Sequence, residues 1–136
     1  TIDTSPTGHE TILLVDDELA IQRISQLVLQ RGGYTVLCAS TGAEALDIFQ
    51  SNPDAVDLMV LDWMMPGMSG RAVADVVRET HEAIPILFCT GYGIADFELG
   101  KHEVLLAKPF KPPMLLSSVR ALLDGRADGG DSPVDV

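Results

Sequence analysis

The chain has 136 residues, a length that suits one domain with its own hydrophobic core. Its composition, 46% hydrophobic and 21% charged, is that of an ordinary globular protein and argues against overall disorder. Twenty acidic residues against nine Lys and Arg give a net charge of −11, which disfavours direct binding to nucleic acids and to anionic membranes.

We expect neither a membrane span nor a secretory signal within this segment. The opening TIDTSPTGHE carries no basic start, and no apolar run in the chain approaches the ~20 residues that cross a bilayer. Cys38 and Cys89 lie inside apolar segments without CxxC spacing, so we expect buried, reduced thiols. These features predict a cytoplasmic protein that makes no direct contact with a membrane.

The first predicted unit is a strand followed by a helix. TILLV (11–15) is a continuous apolar run that ends in acids, which is typical of a strand buried on both faces. The segment 18–33 ends in two glycines and carries apolar residues at mostly helical spacing. Those residues are Leu19, Ile21, Ile24, Leu27 and Val28.

The same alternation continues along the chain. Short apolar strands that alternate with helical segments indicate parallel βαβ units, and right-handed crossovers then place helices on both faces of one sheet. The further strands are predicted at 34–39, 57–61, 84–89 and 103–107. The further helices are predicted at 41–52, 69–81 and 112–125, with a short and weakly helical segment at 94–99.

The two ends of the chain do not follow this pattern. Both are rich in Gly, Ser, Pro and Asp and lack apolar periodicity. We therefore predict a linker over 1–9, one domain over 10–125 and a disordered tail over 126–136.

Polar side chains follow four of the predicted strands. In an open α/β sheet the ligand site lies at the carboxyl ends of the strands, so these residues are expected to meet. Unit charges ~4 Å apart at an effective dielectric near 20 interact by roughly 4 kcal/mol, so clustered carboxylates need a lysine or a hard cation such as Mg²⁺. The residues are Asp16 and Asp17, Asp62, Thr90 with Gly91, and Lys108.

Each of these residues alone also has an ordinary structural interpretation. Asp16 and Asp17 could start the next helix, where acids favour the positive end of the helix dipole. Lys108 could be a surface lysine and Thr90 a turn hydroxyl. Their arrival together at one sheet edge favours a metal-assisted phosphate site.

Four motifs together resemble one family. LLVDDE, LDWMMPGMSG, PILFCTGY and LAKPF have the order, spacing and strand-end positions of the response regulator receiver domain of two-component signalling, over roughly residues 10–125. The resemblance implies a flavodoxin-like, doubly wound α/β fold with a five-stranded parallel sheet. It also implies the strand order 2-1-3-4-5 and a short fourth helix, the weakly helical segment at 94–99.

The resemblance assigns the acids to phosphoryl transfer. Asp62 would accept a phosphoryl group from a phosphohistidine or a small phosphodonor. Asp17 would bind Mg²⁺ directly and Asp16 largely through water, while Asp62 and the backbone carbonyl of Met64 would complete the protein ligands.

The resemblance also implies how the phosphoryl group would be held. Lys108 would pair with Asp62 at rest and with a phosphate oxygen afterwards, and Thr90 and Gly91 would bind the phosphate, with the Thr90 hydroxyl moving onto it. The sequence leaves open whether the Lys108-Pro109 peptide is cis or trans, and the resemblance raises the expectation of cis above the ~5% of X-Pro bonds in folded proteins.

Three positions bear on signalling and on the lifetime of the phosphoryl group. Met64 and Tyr92 occupy positions that tune water access to the phosphoryl group in this family, and an apolar Met and a bulky Tyr would shield it. Leu105 stands where many members carry an aromatic switch residue, so the output would depend on Thr90 and the loop after it.

The partners implied are a sensor histidine kinase or a histidine phosphotransfer domain. The start HETILLVDDE resembles the C-terminal receiver of hybrid sensor histidine kinases. The two glycines near the short fourth helix weaken the face through which many receivers dimerise, which favours a monomer. The domain would be a stoichiometric phosphoacceptor and not a turnover enzyme.

Three alternatives stay open at this point. The first is a metal-dependent phosphatase or phosphotransferase; enzymes of this kind that resemble haloacid dehalogenases place a second Asp two residues after the nucleophile, where Met64 stands here. A nucleotide-binding module would need a third glycine where Asp96 stands. A silent pseudo-receiver would keep the fold and lack the chemistry.

Overall fold

A five-stranded parallel sheet in the order β2-β1-β3-β4-β5 forms the centre of the molecule. The computed structural model describes residues 7–91 and 98–125. The strands are β1 (Thr11–Val15), β2 (Thr35–Ala39), β3 (Leu58–Asp62), β4 (Ile86–Thr90) and β5 (Glu103–Ala107). The described helices are α1 (Leu19–Arg31), α2 (Gly42–Ser51), α3 (Gly70–Arg78) and α4 (Pro112–Leu123). The predicted fold class and strand order are confirmed.

Alternation along the strands divides the core into two layers. On one face of the sheet, Ile12 and Leu14 of β1 pack with α1 and α4 around Leu29 and Leu115. On the other face, Leu13 of β1 packs in a cluster with residues of α2 and α3. Because both faces are covered, the three central strands are almost wholly buried, which explains their continuous apolar sequences.

The predicted helix α1 forms, but most of the apolar residues that mark it in the sequence do not pack on the sheet. Leu19, Ile24 and Leu27 carry the helical spacing in the sequence, yet they are 58%, 62% and 58% exposed. The helix instead buries Gln22 and Ser25, together with Leu29. Apolar residues therefore extend around α1 beyond the side that packs on the sheet, and an exposed apolar surface remains.

Some predicted features fall outside the described residues. These are Tyr92, Asp96, most of the predicted short helix at 94–99, the tail 126–136 and the linker up to residue 6. The described remainder of that short helix, 98–99, is not helical. Cys89 is buried as expected, whereas Cys38 is only half-buried, and both are free thiols. None of the described helices has the length and apolar character needed to cross a bilayer.

A buried ion cluster at the start of β5 escaped the sequence analysis. Glu103 is 2% exposed, and its carboxylate accepts hydrogen bonds from Arg71 at 2.7 and 3.1 Å and from Arg78 at 3.1 Å. The backbone N–H of Gly100 donates to the same carboxylate at 2.7 Å. The Arg71 guanidinium also lies 5.1 Å over the ring of Phe88. The cluster ties α3 to β5 and to the segment before it.

A second network holds the chain before β1 against α4. Arg120 of α4 donates to the carboxylate of Glu10 at 3.1 and 2.8 Å and to the carbonyl oxygen of Thr7 at 3.2 Å. Its guanidinium also pairs with Asp124 at 2.9 Å. The hydrogen bond from Arg120 lowers the pKa of Glu10 to about 2. The end of the predicted linker therefore contacts the domain directly.

Candidate functional site

Asp62 is the last residue of β3 and is 6% exposed. The strand carries it to the carboxyl edge of the sheet, and the chain turns away at once. A Cβ atom at Gly70 would overlap the backbone carbonyl oxygen of Asp62. Glycine at this position therefore lets α3 begin against the end of β3.

Three carboxylates meet at this edge. Asp16, Asp17 and Asp62 each place one oxygen within 4.8 Å of the others. Lys108 lies between two of them, with its Nζ 3.0 Å from Asp16 Oδ2 and 3.3 Å from Asp62 Oδ1. One ammonium does not balance three carboxylates, so the cluster favours a further cation. Carboxylate oxygens are ligands that Mg²⁺ prefers, and the residues fit that ion.

The environment raises the pKa of Asp62 to about 6. Burial is the largest cause, and the neighbouring charge of Asp16 adds to it, while Lys108 acts in the opposite direction. Burial works to lower the pKa of Lys108, but hydrogen bonding and charge from Asp16 and Asp62 outweigh it and raise that pKa. The ammonium therefore stays charged between its two acids.

Asp16 also stabilises the turn that precedes α1. Its Oδ1 accepts a hydrogen bond from the Glu18 backbone N–H at 2.9 Å, while its Oδ2 binds Lys108. The helix-start interpretation of this acid does not hold, because α1 begins after the N-cap residue Glu18 and has no acid in its first turn. The two oxygens of Asp16 instead serve the preceding turn and Lys108.

Gln22 supports the acidic loop from α1, and sequence reasoning missed it. Its Nε2 donates to the backbone carbonyl oxygens of Asp16 at 3.1 Å and Ala39 at 2.9 Å. The residue is 7% exposed. In the sequence, the only signal is that Gln22 shares helical spacing with the buried Leu29. That spacing does not show which groups the amide of Gln22 would bind.

The predicted phosphate-binding residues lie beside Lys108. The Lys108 backbone N–H donates to the carbonyl oxygen of Thr90 at 2.6 Å, which joins the ends of β4 and β5. Thr90 is buried, whereas Gly91 is exposed. The Lys108-Pro109 peptide, which the sequence left open, is cis.

The residues after Asp62 form a short closed loop. The Trp63 backbone N–H donates to the carbonyl oxygen of Cys89 at 2.7 Å, and the Gly70 N–H donates to the Trp63 carbonyl at 3.0 Å. The Trp63 ring packs edge-on against Phe88, with centroids 5.0 Å apart. The next residue, Met64, is 65% exposed.

An apolar groove opens next to the acidic edge. It has a volume of about 440 Å³ and lies between α1 and the segment after β5. Lys108 and Gly91 line its end at the site. Its apolar lining is Ile21 and Ile24 on one side and Pro109 and Phe110 on the other.

Comparison with known proteins gives consistent results. A model of the response regulator receiver domain matches residues 12–120. The response regulator MprA of Mycobacterium sp. is 39% identical over 130 residues, which cover 90% of this chain and 55% of that protein. The sensor kinase CckA of Brucella abortus is 36% identical over 129 residues, which cover 89% of this chain and 13% of that protein.

A solved structure agrees in fold. The response regulator receiver protein from Sinorhizobium medicae superposes with a TM-score of 0.74 at 30% identity, over 88% of this chain and 98% of that one. The chain spans about half the length of the curated regulators it matches.

Proposed function

Because this chain belongs to the response regulator receiver domain family, the phosphoacceptors of two-component signalling, we propose that its own acceptor is Asp62. The observation that carries this proposal is the position of Asp62. Its carboxylate lies at a strand end, within 4.8 Å of the oxygens of Asp16 and Asp17 and 3.3 Å from the ammonium of Lys108. A phosphoryl group arriving there meets a nucleophile and a positive charge together.

The proposed reaction is a transfer from a phosphohistidine. An oxygen of Asp62 attacks phosphorus, an O–P bond forms, the P–N bond to the imidazole breaks, and the released imidazole nitrogen takes up a proton. A carboxylate is a weak nucleophile, so alignment and neutralisation of charge carry the rate. Lys108 leaves Asp62 for a phosphate oxygen and supplies part of that neutralisation.

The remaining site residues are given supporting roles. Asp16, Asp17, Asp62 and the Met64 carbonyl would hold Mg²⁺, which when bound offsets negative charge on the phosphoryl oxygens. Thr90 and Gly91 would bind phosphate oxygens through a hydroxyl and a backbone N–H. The buried Thr90 would move to do so, and its strand end is joined by a hydrogen bond to Lys108.

The test is intact-mass detection of an aspartyl phosphate after incubation with acetyl phosphate and Mg²⁺. We expect one added phosphoryl group, absent in Asp62→Asn and absent when EDTA is present. No adduct under conditions that label an established receiver would indicate a silent pseudo-receiver. Continuous release of phosphate would indicate a phosphatase instead.

We propose that the phosphodonor docks on α1 and the groove beside it. The donor histidine must reach Asp62, and the exposed Ile24 of α1 lines the groove that Lys108 also lines. Leu19 and Leu27 on the same helix and Met64 after β3 are exposed apolar side chains as well. A helical surface of a sensor histidine kinase or a histidine phosphotransfer domain suits this apolar patch.

Donor docking can be separated from the chemistry by comparing two donors. Ile24→Glu should slow transfer from a phosphorylated histidine phosphotransfer domain by about tenfold or more and leave labelling by acetyl phosphate unchanged. The matched control Gln30→Glu changes charge at an exposed position near the other end of α1. Equal slowing with both donors would contradict docking at this surface.

Met64 and Tyr92 are proposed to shield the phosphoryl group from water. Met64 stands two residues after Asp62 and its side chain is exposed, which supports its part in this proposal. Met64→Asn and Tyr92→Ala are each expected to shorten the phosphorylated lifetime, measured by the decay of the phosphorylated mass after donor removal. An equal or longer lifetime in both variants would end the idea.

The setting of the domain is also a proposal. A hybrid sensor kinase as parent is supported by the HETILLVDDE start and by the 36% identity to a sensor kinase. The 39% identity to a response regulator supports a separate regulator equally. An immunoblot of the source cells with an antibody to residues 7–125 distinguishes the two by mass.

We further propose a cytoplasmic monomer. The free thiols of Cys38 and Cys89 suit a reducing compartment. A stable dimer at micromolar concentration in light scattering would contradict the monomer.

A further inference from the structure

We propose that Gln22 is a positioning residue for the acidic site, acting through the backbone of Asp16. This inference deepens the proposed function, since it concerns how the same site binds its cation. Gln22 does not touch the reacting atoms, and its side chain lies on the sheet side of α1.

The contacts of Gln22 join three parts of the chain. Its Nε2 donates to the carbonyl oxygen of Asp16 at 3.1 Å and to that of Ala39 at 2.9 Å, with the Ser40 hydroxyl 3.4 Å away. Both carbonyls are acceptors only, so the amide nitrogen must face them. One buried side chain therefore ties α1 to the ends of β1 and β2.

These bonds close a ring around the first acid. The Asp16 backbone N–H donates to the same Ala39 carbonyl at 3.2 Å. That carbonyl oxygen therefore accepts hydrogen bonds from both the Asp16 N–H and the Gln22 amide. The peptide groups on both sides of the Asp16 Cα are thereby fixed. The direction in which its side chain leaves the backbone follows from that arrangement.

The position of Asp16 matters because its carboxylate is shared. One oxygen accepts from Glu18 N–H at 2.9 Å, and the other lies 3.0 Å from Lys108 Nζ. Asp17 is the next residue, so a shift of the Asp16 backbone moves both acids relative to Asp62. Groups that orient metal ligands from behind commonly change metal affinity 10–100-fold when removed.

Mg²⁺ affinity can be read without any phosphoryl transfer. Trp63 is the only tryptophan and directly follows Asp62, so its fluorescence reports cation binding at this edge. We expect Gln22→Met, which keeps the length of the side chain and loses both N–H donors, to raise the Mg²⁺ dissociation constant about tenfold. Gln22→Asn, which keeps the amide on a shorter side chain, should also raise the dissociation constant.

The control is a core variant of the same helix. Leu29→Val removes a methylene group from a fully buried residue of α1 that belongs to the core cluster and not to the acidic site. It should lower the melting temperature and leave the Mg²⁺ dissociation constant within twofold. At saturating Mg²⁺, labelling of Gln22→Met by acetyl phosphate should return to within about twofold of the wild-type rate, because its defect is in affinity.

The outcomes separate this inference from the function it rests on. Wild-type binding of Mg²⁺ with an unchanged dissociation constant in Gln22→Met and Gln22→Asn would overturn the role of Gln22 alone. An equal loss in Leu29→Val would reduce that role to general stability and overturn it as well. A wild-type protein that neither binds Mg²⁺ nor accepts phosphate would overturn both proposals.

Discussion

Lys108 lies closer to Asp16 than to Asp62, with its Nζ 3.0 Å from the first carboxylate and 3.3 Å from the second. The motif resemblance implied a resting pair between Lys108 and Asp62. The structure shows one ammonium shared between two acids, of which Asp16 has the shorter contact. Asp16 therefore competes with Asp62 for the lysine and also raises the pKa of Asp62 through its own charge.

We expect Asp16→Asn to lower the pKa of Asp62 below its value of about 6. The substitution removes a neighbouring negative charge and leaves Lys108 to Asp62 alone. Lys108→Met should shift that pKa upward. Carboxyl ¹³C NMR titration without metal measures both shifts. Asp75→Asn, at a solvent-exposed acid, is the control and should leave the pKa unchanged, and an unchanged pKa in Asp16→Asn would contradict the argument.

Asp62→Asn should stabilise the metal-free protein, and increasingly so as the pH rises. The folded pKa of about 6 lies above the ordinary aspartate value of 3.8, so the fold disfavours the ionised form. That penalty is absent below about pH 4 and complete above about pH 6. We expect a gain of up to about 3 kcal/mol at pH 7, roughly 1.4 kcal/mol for each unit of raised pKa, and almost none at pH 3.5, measured by urea unfolding in EDTA. An equal gain at both pH values would rule out ionisation as its cause.

Glu103→Gln should be among the most destabilising polar substitutions in the chain. It leaves Arg71 and Arg78 without the buried carboxylate that they share. Breaking such a buried pair costs about 3 kcal/mol, to be measured by chemical denaturation. Asp75→Asn removes an exposed partner of the same Arg71 and should cost less than about 0.5 kcal/mol. Similar losses in the two variants would show that burial does not govern this cluster.

Substitution of two glycines near the site by alanine should change the stability of the fold by different amounts. A Cβ at Gly70 would overlap the Asp62 carbonyl oxygen, whereas a Cβ at Gly91 would meet nothing within 4 Å. We expect Gly70→Ala to cost about 2 kcal/mol and to slow labelling by acetyl phosphate, because α3 must move away from Asp62. Gly91→Ala should change stability by less than about 0.5 kcal/mol. Thermal unfolding of the pair decides the matter, and equal melting temperatures would count against the close approach.

Glu10 should stabilise the fold only above strongly acidic pH. Arg120 lowers its pKa to about 2 in the folded chain, against an ordinary glutamate value of 4.5. The stabilisation is therefore complete above about pH 4.5 and is lost as the pH falls through 2. Glu10→Gln should lower the melting temperature at pH 6 and have no effect near pH 2. A deficit that persists at pH 2 would point to packing and not to charge.

The sequence predicted the sheet well because both of its faces are buried. The central strands read as continuous apolar runs, and the predicted bounds of β1 and β5 agree with the structure. Acids and a lysine directly after those runs had to meet at one edge, which is why the sequence alone could group Asp16, Asp17, Asp62 and Lys108.

The remaining features depend on contacts that sequence spacing does not contain. The periodicity of α1 could not separate apolar residues that face the sheet from Ile24 and Leu27, which face solvent. The partners of Glu103 lie 32 and 25 residues away on α3. The carbonyl partners of Gln22 are likewise set by the packing of α1 between two strand ends.

The network around Arg120 makes this domain easy to attach to other proteins without obstructing it. Thr7, before the first strand, and Asp124, after the last described helix, bind the same guanidinium. They lie at the amino ends of the strands, whereas the acidic site is at the carboxyl ends, roughly 16 Å away along a five-residue strand. A fusion partner or a surface tether joined near either residue would leave the edge that carries Asp62 open to an incoming protein.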